Sequence, residues 1–155
     1  MDRITVTKRK KLMSKVKSKD TDIERKLRKI LWDNKLRYRK HYKILGRPDI
    51  AFPGYKIAIF CDGDFWHGKQ FAREGKKYND LWFEKISKNI KRDRFVTRSL
   101  EKSGWKVIRF WKDEIKEQPT QCLAVVLQAI HERKIQKLLI GNQNLSAQNH
   151  YNAKQ

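Results

Sequence analysis

The sequence predicts a small α/β domain in which helices flank one mixed β-sheet. Helical and extended patterns alternate along the chain in the order helix, strands, helix, strand, helix. The most apolar run, residues 55–61, is typical of a central strand that is covered on both faces. The chain has 155 residues, 39% of them hydrophobic, which is enough to bury one core. We therefore expect a single domain over residues 21–140.

Basic residues dominate the start of the chain. Residues 1–20 contain eight lysines and arginines, with Leu12, Met13 and Val16 among the few apolar side chains. We expect this segment to be a basic N-terminal arm, either a short helix or a solvated tail that clamps DNA.

The first predicted helix covers residues 21–34. Thr21 and Glu24 have the spacing of a capping box, in which each side chain bonds the backbone N–H of the other residue. Apolar residues then recur on one helical face, which should pack on the sheet: Ile23, Leu27, Ile30 and Leu31.

Strands should follow this helix. Leu36, Tyr38 and Tyr42 alternate with basic residues, which indicates a strand with a polar side. A Gly-Arg-Pro run at residues 46–48 interrupts the chain before a second strand, residues 49–52. A Pro-Gly turn then leads into the central strand.

Residues 62–79 mix glycines, charges and aromatics without a period, as functional loops do. A helix over residues 80–103 comes next, and Gly104 ends it. Its buried stripe is marked by Ile86, Ile90 and Leu100.

The C-terminal part should contain one more strand and one more helix. The strand covers residues 105–111, and the helix runs from after Pro119 to about Leu139. The last segment, residues 141–155, contains four Asn and three Gln, so we expect a polar, disordered tail.

The charge balance indicates a polyanionic partner. The chain has 38 Lys and Arg against 17 Asp and Glu, a formal net charge of +21. Double-stranded DNA is the leading partner because neutralising its phosphates releases counterions, and an acidic membrane is the rival. Neither a run of about 18 apolar residues nor an apolar signal region is present. The two cysteines, Cys61 and Cys122, make neither a disulfide framework nor a zinc quartet, so we expect a cytoplasmic, DNA-associated protein.

The first candidate site pairs Asp49 with the strand end at Cys61. Phosphodiester hydrolysis needs a hard cation on the phosphate, and carboxylate and carbonyl oxygens suit Mg²⁺. Asp49 opens one strand and Cys61 ends its hairpin partner, so the Asp49 carboxylate and the Cys61 main-chain carbonyl could meet at one metal. An ordinary capping or turn aspartate is the alternative.

The second candidate site lies directly after the central strand, within residues 62–68. Histidine has the pKa range of a general base near neutral pH, which makes His67 the candidate. Phe65 and Trp66 would be unusual as a buried pair in a segment rich in Gly and Asp, and as exposed rings they could stack on bases or wedge between them. A loop that tucks both rings onto the core is the alternative.

The third candidate is Asp93, which shares one helical face with Ile86, Ile90 and Leu100. A carboxylate on this apolar stripe needs a partner, because burying it unpaired would be costly. A histidine N–H would serve and would orient the ring. A salt bridge to an arginine or lysine at the edge of the core is the alternative.

Several motifs follow one another along residues 8–115: Asp20-Thr21-x-Ile23-Glu24, Gly46-Arg47-Pro48-Asp49, Ile59-Phe60, Gly63-x-Phe65-Trp66-His67, Trp82-Phe83-Glu84-Lys85-Ile86-x-Lys88-Asn89, Arg92-Asp93-Arg94 and Gly104-Trp105. In this order and spacing they resemble the very short patch repair (Vsr) DNA mismatch endonucleases. The resemblance implies a restriction-endonuclease-like fold and Mg²⁺-dependent nicking of one DNA strand.

The resemblance also implies roles for single residues. The metal-binding aspartate of the family falls on Asp49, and its metal-binding main-chain carbonyl falls on Cys61. The general-base histidine falls on His67, and the acid that orients it falls on Asp93. Glu24 matches an acidic residue near the same site, besides its place in the capping box.

DNA contacts follow from the resemblance as well. The family wedges apolar side chains into DNA beside a T·G mismatch, at positions that match Met13, Phe65, Trp66 and Trp82. Residues near the mismatched bases match Lys85 and Asn89.

The chain departs from the family at two places. The ligand positions of the family's structural zinc are occupied by residues that cannot rebuild the site, so we expect no zinc: Asp64, Lys69, Phe71 and Asp113. A second active-site histidine is replaced by Asp62. This replacement leaves the T·G preference and the source of the leaving-group proton open, and it makes Asp62 an additional metal-ligand candidate.

We therefore predict a monomeric, Mg²⁺-dependent endonuclease that nicks one strand of double-stranded DNA at or near T·G mismatches. Two alternatives stay open at this point. One is a Vsr-like homing or restriction nuclease of a mobile element. The other is a non-catalytic basic DNA-binding protein.

Overall fold

The computed structural model describes residues 19–63 and 80–152, with side chains over residues 83–141 in the second range. The first range forms helix α1 (Asp22–Asp33) and strands β1 (Arg39–Lys40), β2 (Ile50–Phe52) and β3 (Ile57–Asp62). The second range forms helix α2 (Asp80–Lys102), strand β4 (Lys106–Trp111) and helices α3 (Lys112–Glu117) and α4 (Pro119–Asn152). Every helix and strand predicted within the described ranges is found there, and α3 is an addition.

One mixed sheet organises these elements, in the strand order β1-β2-β3-β4. The β1–β2 and β2–β3 pairs are antiparallel, whereas β3 and β4 are parallel. A parallel pair needs a long crossover, and α2 supplies it. The register places Ile50 opposite Ile59 and Cys61 opposite Phe110. The predicted α/β class with a mixed central sheet is confirmed.

Strand β3 is the centre of the core, as its apolar sequence predicts. Ile57 and Ile59 belong to a buried cluster with residues of the helices on one face of the sheet, including Leu27, Leu31, Ile115 and Val126. Ala58 and Phe60 point to the opposite face and pack with Val96 and Leu100 of α2. Because successive strand residues alternate between faces, Asp62 at the end of β3 lies on the α2 side.

Strand β1 is shorter than its sequence pattern suggests. Only Arg39 and Lys40 pair with β2, and both are exposed. Lys35 and His41 on either side have positive φ angles of 62° and 47°, a left-handed conformation that interrupts extended pairing. Alternating hydrophobicity alone does not reveal such kinks.

Strand β3 begins two residues later than predicted. Pro53–Tyr55 forms a 3₁₀ turn, and Lys56 after it is left-handed with φ 51°. The Pro-Gly signal therefore marks a longer turn than a simple two-residue break.

Helix α4 continues to Asn152, beyond its predicted end near Leu139, and the expected disorder of the tail over residues 141–155 stays a prediction. No proline interrupts the polar segment, and Gly141 inside a helix costs only about 1 kcal/mol relative to alanine. The basic arm lies almost wholly outside the described residues. Its boundary at residue 20 stays a prediction.

Within the described ranges, no helix combines the length and the apolar character needed to span a membrane.

Candidate active site

Asp49 directly precedes strand β2, and the residues around it fix its position. Pro48 and Ile50 on either side are fully buried. Gly46 has φ +75°, and a Cβ there would lie 2.4 Å from Cγ1 of Val96 on α2. Only glycine allows this close approach and this backbone conformation together. The Gly-Arg-Pro-Asp motif therefore positions the Asp49 backbone against both the sheet and α2.

The Asp49 carboxylate lies at the end of strand β3, as predicted. Its Oδ2 accepts a hydrogen bond from the Cys61 peptide N–H at 2.8 Å. The contact is made by the Cys61 N–H, and the predicted pairing of the Asp49 carboxylate with the Cys61 carbonyl at one metal stays a prediction. Burial and nearby carboxylates raise the pKa of the Cys61 thiol, so its sulfur stays protonated and is a poor metal ligand.

The surroundings of Asp49 disfavour its charged form. Burial, together with the charges of Glu24 and Asp62, raises the pKa of Asp49 to about 6, and the Cys61 N–H and His41 oppose this rise. Such a carboxylate gains from a nearby positive charge. Its carboxylate oxygens are hard donors of the kind that Mg²⁺ prefers.

Glu24 caps helix α1 and also lies near Asp49, while its role in the reaction stays a prediction. The capping box of α1 is formed, and Glu24 is 3% exposed. Its Oε1 accepts a hydrogen bond from the Thr21 hydroxyl at 2.8 Å, and its Oε2 accepts one from the Asp20 N–H at 3.0 Å. These bonds hold a buried carboxylate close enough to Asp49 to affect its pKa.

A neighbouring cluster was not singled out from the sequence. Ligand atoms of Asp20, Glu24 and His41 lie within 4.8 Å of one another. Arg28 compensates the negative charge of the Asp20 carboxylate. Its Nη2 donates to Asp20 Oδ1 at 2.6 Å and thereby lowers the pKa of Asp20. Asp20 stands in a motif that could have drawn attention to it. His41 carries no local signal, since the fold brings it there from the far side of β1.

A second charged network lies on the α2 side of the sheet. The Arg109 guanidinium donates to both oxygens of buried Asp62, with Nε–Oδ2 at 2.6 Å and Nη2–Oδ1 at 2.9 Å. The same Nη2 lies 3.4 Å from Asp93 Oδ1, and Arg92 Nη2 is 3.5 Å from that oxygen. Asp93 therefore has the arginine contacts of the salt-bridge alternative, and its pairing with His67, which lies outside the described residues, stays a prediction. Asp62, the additional metal-ligand candidate, has both oxygens hydrogen-bonded to Arg109.

Comparisons with known proteins identify the family. The family described as DNA mismatch endonuclease Vsr matches residues 1–73. The chain is 44% identical over 138 residues to the type II nicking enzyme V.NmeDIP of Neisseria meningitidis serogroup C, covering 86% of this chain and 93% of that enzyme. It is 42% identical over 138 residues to the type II nicking enzyme V.HpaIIP of Haemophilus parainfluenzae, with coverages of 86% and 98%. The chain belongs to the Vsr family.

This Vsr-family protein is a DNA endonuclease that nicks its substrate. Similarity extends to the DNA mismatch endonuclease Vsr of Escherichia coli, 34% identical over 107 residues, or 67% of this chain and 69% of that enzyme. The suggested non-catalytic DNA-binding protein is therefore wrong. The restriction-endonuclease-like fold expected of the Vsr family agrees with the mixed sheet and its flanking helices.

Several residues assigned by the Vsr resemblance lie outside the described residues, and their roles stay predictions: Met13, Asp64, Phe65, Trp66, His67, Lys69 and Phe71. Trp82 is in helix α2, and its side chain is likewise outside the described part. Asp113, at a former zinc position, lies in the first turn of α3, where its Oδ1 accepts a hydrogen bond from the Glu114 N–H at 3.0 Å.

Lys85 and Asn89 lie one turn apart on helix α2. Lys85 is exposed and Asn89 is half-buried. Asn89 precedes Asp93 by one further turn, so the two positions form a row that leads toward the Arg109 network. This placement suits a helix that faces DNA, and the contacts with mismatched bases stay a prediction.

Proposed function

We propose that this Vsr-family endonuclease nicks one strand of duplex DNA at or near T·G mismatches in a Mg²⁺-dependent reaction, as a monomer in the cytoplasm. The observation that carries the proposal is the hydrogen bond between the Asp49 carboxylate and the Cys61 main chain. It brings an acidic side chain with a raised pKa to a strand end where a carbonyl oxygen is also available. These are the ligand types that the proposed reaction requires.

Asp49 and the Cys61 carbonyl would hold Mg²⁺, with Asp62 an additional candidate that Arg109 already engages. The carboxylate, once ionised, supplies the charge that a divalent cation needs, and its raised pKa supports a place for such a cation beside it. When bound, Mg²⁺ polarises the scissile phosphate and stabilises its developing charge.

His67 takes the proton from the attacking water in this proposal. Asp93 holds the imidazole in the orientation that accepts this proton, in the manner of an acid that orients a catalytic histidine. Asp93 is only 15% exposed, which suits a carboxylate that fixes a neighbour. The products expected from the family are a 5′-phosphate and a 3′-hydroxyl.

A second candidate function changes the substrate and keeps the chemistry. The relatives V.NmeDIP and V.HpaIIP are named type II nicking enzymes, whereas the E. coli relative is named a mismatch endonuclease. Asp62 replaces a histidine that the Vsr resemblance places in the active site. Both observations favour testing fully paired DNA, as expected for a Vsr-like homing or restriction nuclease of a mobile element.

A nicking assay separates these possibilities. End-labelled duplexes that differ only in one T·G or T·A pair are incubated with the enzyme, with Mg²⁺ and with EDTA. The proposal expects Mg²⁺-dependent nicking of one strand, faster on the T·G duplex. Equal rates on both duplexes would favour the homing or restriction alternative, and undiminished nicking in EDTA would exclude the metal assignment.

A matched pair of variants controls the assay. Asp49→Asn removes the proposed metal ligand and keeps an oxygen that can accept the Cys61 N–H. Asp33→Asn removes an exposed carboxylate that pairs only with Lys29 in α1 among the ion pairs seen there. The first change should abolish nicking and the second should leave it unchanged.

A further inference from the structure

Arg109 of strand β4 is held between two carboxylates at the end of the sheet. Its side chain is 23% exposed, and that of Asp62 is 5% exposed. The two residues lie 47 apart in sequence and meet because β3 and β4 pair in parallel. Asp62 directly follows Cys61, so this ion pair adjoins the proposed metal site.

Contacts with four residues hold the Arg109 guanidinium in place. Besides its two bonds to Asp62, Nη1 donates to Thr97 Oγ1 at 3.3 Å, and Cζ lies 4.7 Å from the centre of the Phe60 ring. Asp93 on α2 completes the set at 3.4 Å from Nη2. A planar fork with fixed donors can set the direction of a carboxylate, which a flexible ammonium group cannot do.

We propose that Arg109 is a positioning residue for DNA nicking, which acts by holding the Asp93 carboxylate in place while it neutralises Asp62. The proposal rests on the proposed function, because it takes Asp93 as part of the catalytic machinery. Nothing in the residue pattern of β4 distinguishes Arg109 from an ordinary polar position of a strand. Its role comes from the register that joins the ends of β3 and β4 to α2.

Two effects follow from this geometry. First, Arg109 places a positive charge beside carboxylates that would otherwise repel an incoming phosphodiester. Secondly, it joins the end of β3 to α2, so Asp62 and Asp93 keep a fixed separation. A misplacement of about 1 Å in such a constellation can cost roughly 100-fold in rate. Loss of the Arg109 guanidinium should therefore reduce the rate of the chemical step more than it reduces the affinity for DNA.

The first test compares Arg109→Lys with Lys106→Gln on the same strand. Lys106 pairs with Glu132 away from the proposed site, so its substitution serves as the control. Single-turnover nicking is measured at saturating DNA, and DNA affinity is measured with Ca²⁺ in place of Mg²⁺. Arg109→Lys should slow nicking by roughly 10- to 100-fold and change the Kd less than about threefold. A wild-type rate in Arg109→Lys would overturn the proposal.

A double-mutant cycle tests whether Arg109 acts through Asp93. Asp93→Asn and Arg109→Lys are combined, and the rate losses are compared at saturating DNA. If Arg109 positions Asp93, the double variant should be no slower than the slower single variant. Multiplicative losses would show that Arg109 acts independently of Asp93, which contradicts the positioning role.

A second pair of variants separates loss of folding from loss of catalysis. Arg109→Gln removes the positive charge that is bonded to buried Asp62 and should lower the Tm, whereas Asp62→Asn/Arg109→Gln should regain most of it. The regained protein should still nick slowly, because the Arg109 guanidinium no longer positions Asp93. Recovery of the full rate would reduce Arg109 to a charge partner of Asp62 and overturn the proposal. Asp49→Asn, assayed alongside, reports on the proposed metal site separately from every Arg109 variant.

Discussion

Asp49 Oδ2 accepts a hydrogen bond from the Cys61 peptide N–H at 2.8 Å, across 12 residues of chain. This bond favours the charged carboxylate, yet burial and the charges of Glu24 and Asp62 outweigh it and raise the pKa of Asp49 to about 6. Without a cation, the ionised site therefore destabilises the fold. Stability and catalysis should oppose each other at this residue.

Asp49→Asn should stabilise the metal-free protein above pH 6. The folded pKa of about 6 lies above the ordinary value of 3.8, so the folded state binds the proton more tightly than the unfolded chain. Stability is therefore lost as pH rises from about 4 to about 6, by up to about 3 kcal/mol. The asparagine variant does not titrate, so its free energy of unfolding in EDTA should exceed that of the wild type at pH 7.5.

Thermal melts at several pH values check this prediction. The two proteins should differ most at pH 7.5 and converge near pH 4, while Asp33→Asn should follow the wild type throughout. Mg²⁺ should raise the Tm of the wild type and leave that of Asp49→Asn unchanged, since a ligand stabilises only a state that binds it. A lower Tm for Asp49→Asn at pH 7.5 would show that the carboxylate is well compensated without metal.

Replacing the proposed metal ligand should separate catalysis from binding. Asp49→Ala should abolish nicking and leave DNA affinity within several-fold of the wild type. The net charge of +21 explains the retained affinity, because phosphate neutralisation supplies most sequence-independent binding. Gel-shift titrations and nicking assays at one salt concentration measure the two effects. Robust nicking by Asp49→Ala would remove Asp49 from the metal site.

The proposed base and its orienting acid should differ in importance. His67→Ala should lower the single-turnover rate by roughly 10²- to 10⁴-fold, the usual contribution of a general base. Asp93→Asn should cost less, because it disturbs orientation and charge without removing the base. An Asp93→Asn variant with unchanged rate and unchanged Tm would contradict both its pairing and its catalytic role.

The features that were predictable from the sequence are those that depend on local contacts. Helix α1, its capping box and the buried strand β3 were predicted correctly, because each depends on contacts within a few residues or on a short period. The need of Asp93 for a partner also followed from its place on an apolar helical face. These features depend on residues that are close in sequence, so the sequence pattern predicts them.

The charged networks could not be predicted in the same way. Arg109 reaches Asp62 across 47 residues, and the contact exists only in one register of β3 against β4. His41 comes near Asp20 because the chain turns at a left-handed residue, which no hydrophobic pattern reveals. The choice between arginine and histidine as the partner of Asp93 likewise depends on tertiary structure.

The protein should contain no structural zinc. Four positions that hold zinc in the related endonucleases are Asp64, Lys69, Phe71 and Asp113 here, and the chain has only two cysteines. Zinc sites of structural type need four sulfur or nitrogen ligands in most cases. Elemental analysis of tag-free protein should find zinc far below one ion per chain. Stoichiometric zinc that survives dialysis would show that other residues rebuild the site.

The aromatic pair before the proposed base should decide between mismatch recognition and general DNA nicking. Phe65 and Trp66 precede His67 by two residues and one residue, so a wedge in the DNA would bring the base to the backbone. Unstacking a base step costs a few kcal/mol and costs less at a mismatch, where pairing is already weak. A wedge should therefore favour mismatched duplex before any base edge is contacted.

Trp66→Ala should reduce the preference for T·G over T·A duplex more than it reduces binding to paired DNA, which depends mainly on the basic surface. Affinity and single-turnover nicking are measured on both duplexes at one fixed salt concentration, with Trp32→Ala as a control for loss of an exposed tryptophan, since Trp32 is 53% exposed on α1. Equal losses on the two duplexes would make Trp66 a general contact or a core residue. A wild-type enzyme without any preference for the T·G duplex would favour the homing or restriction role more strongly, because such an enzyme does not recognise weakened base pairing.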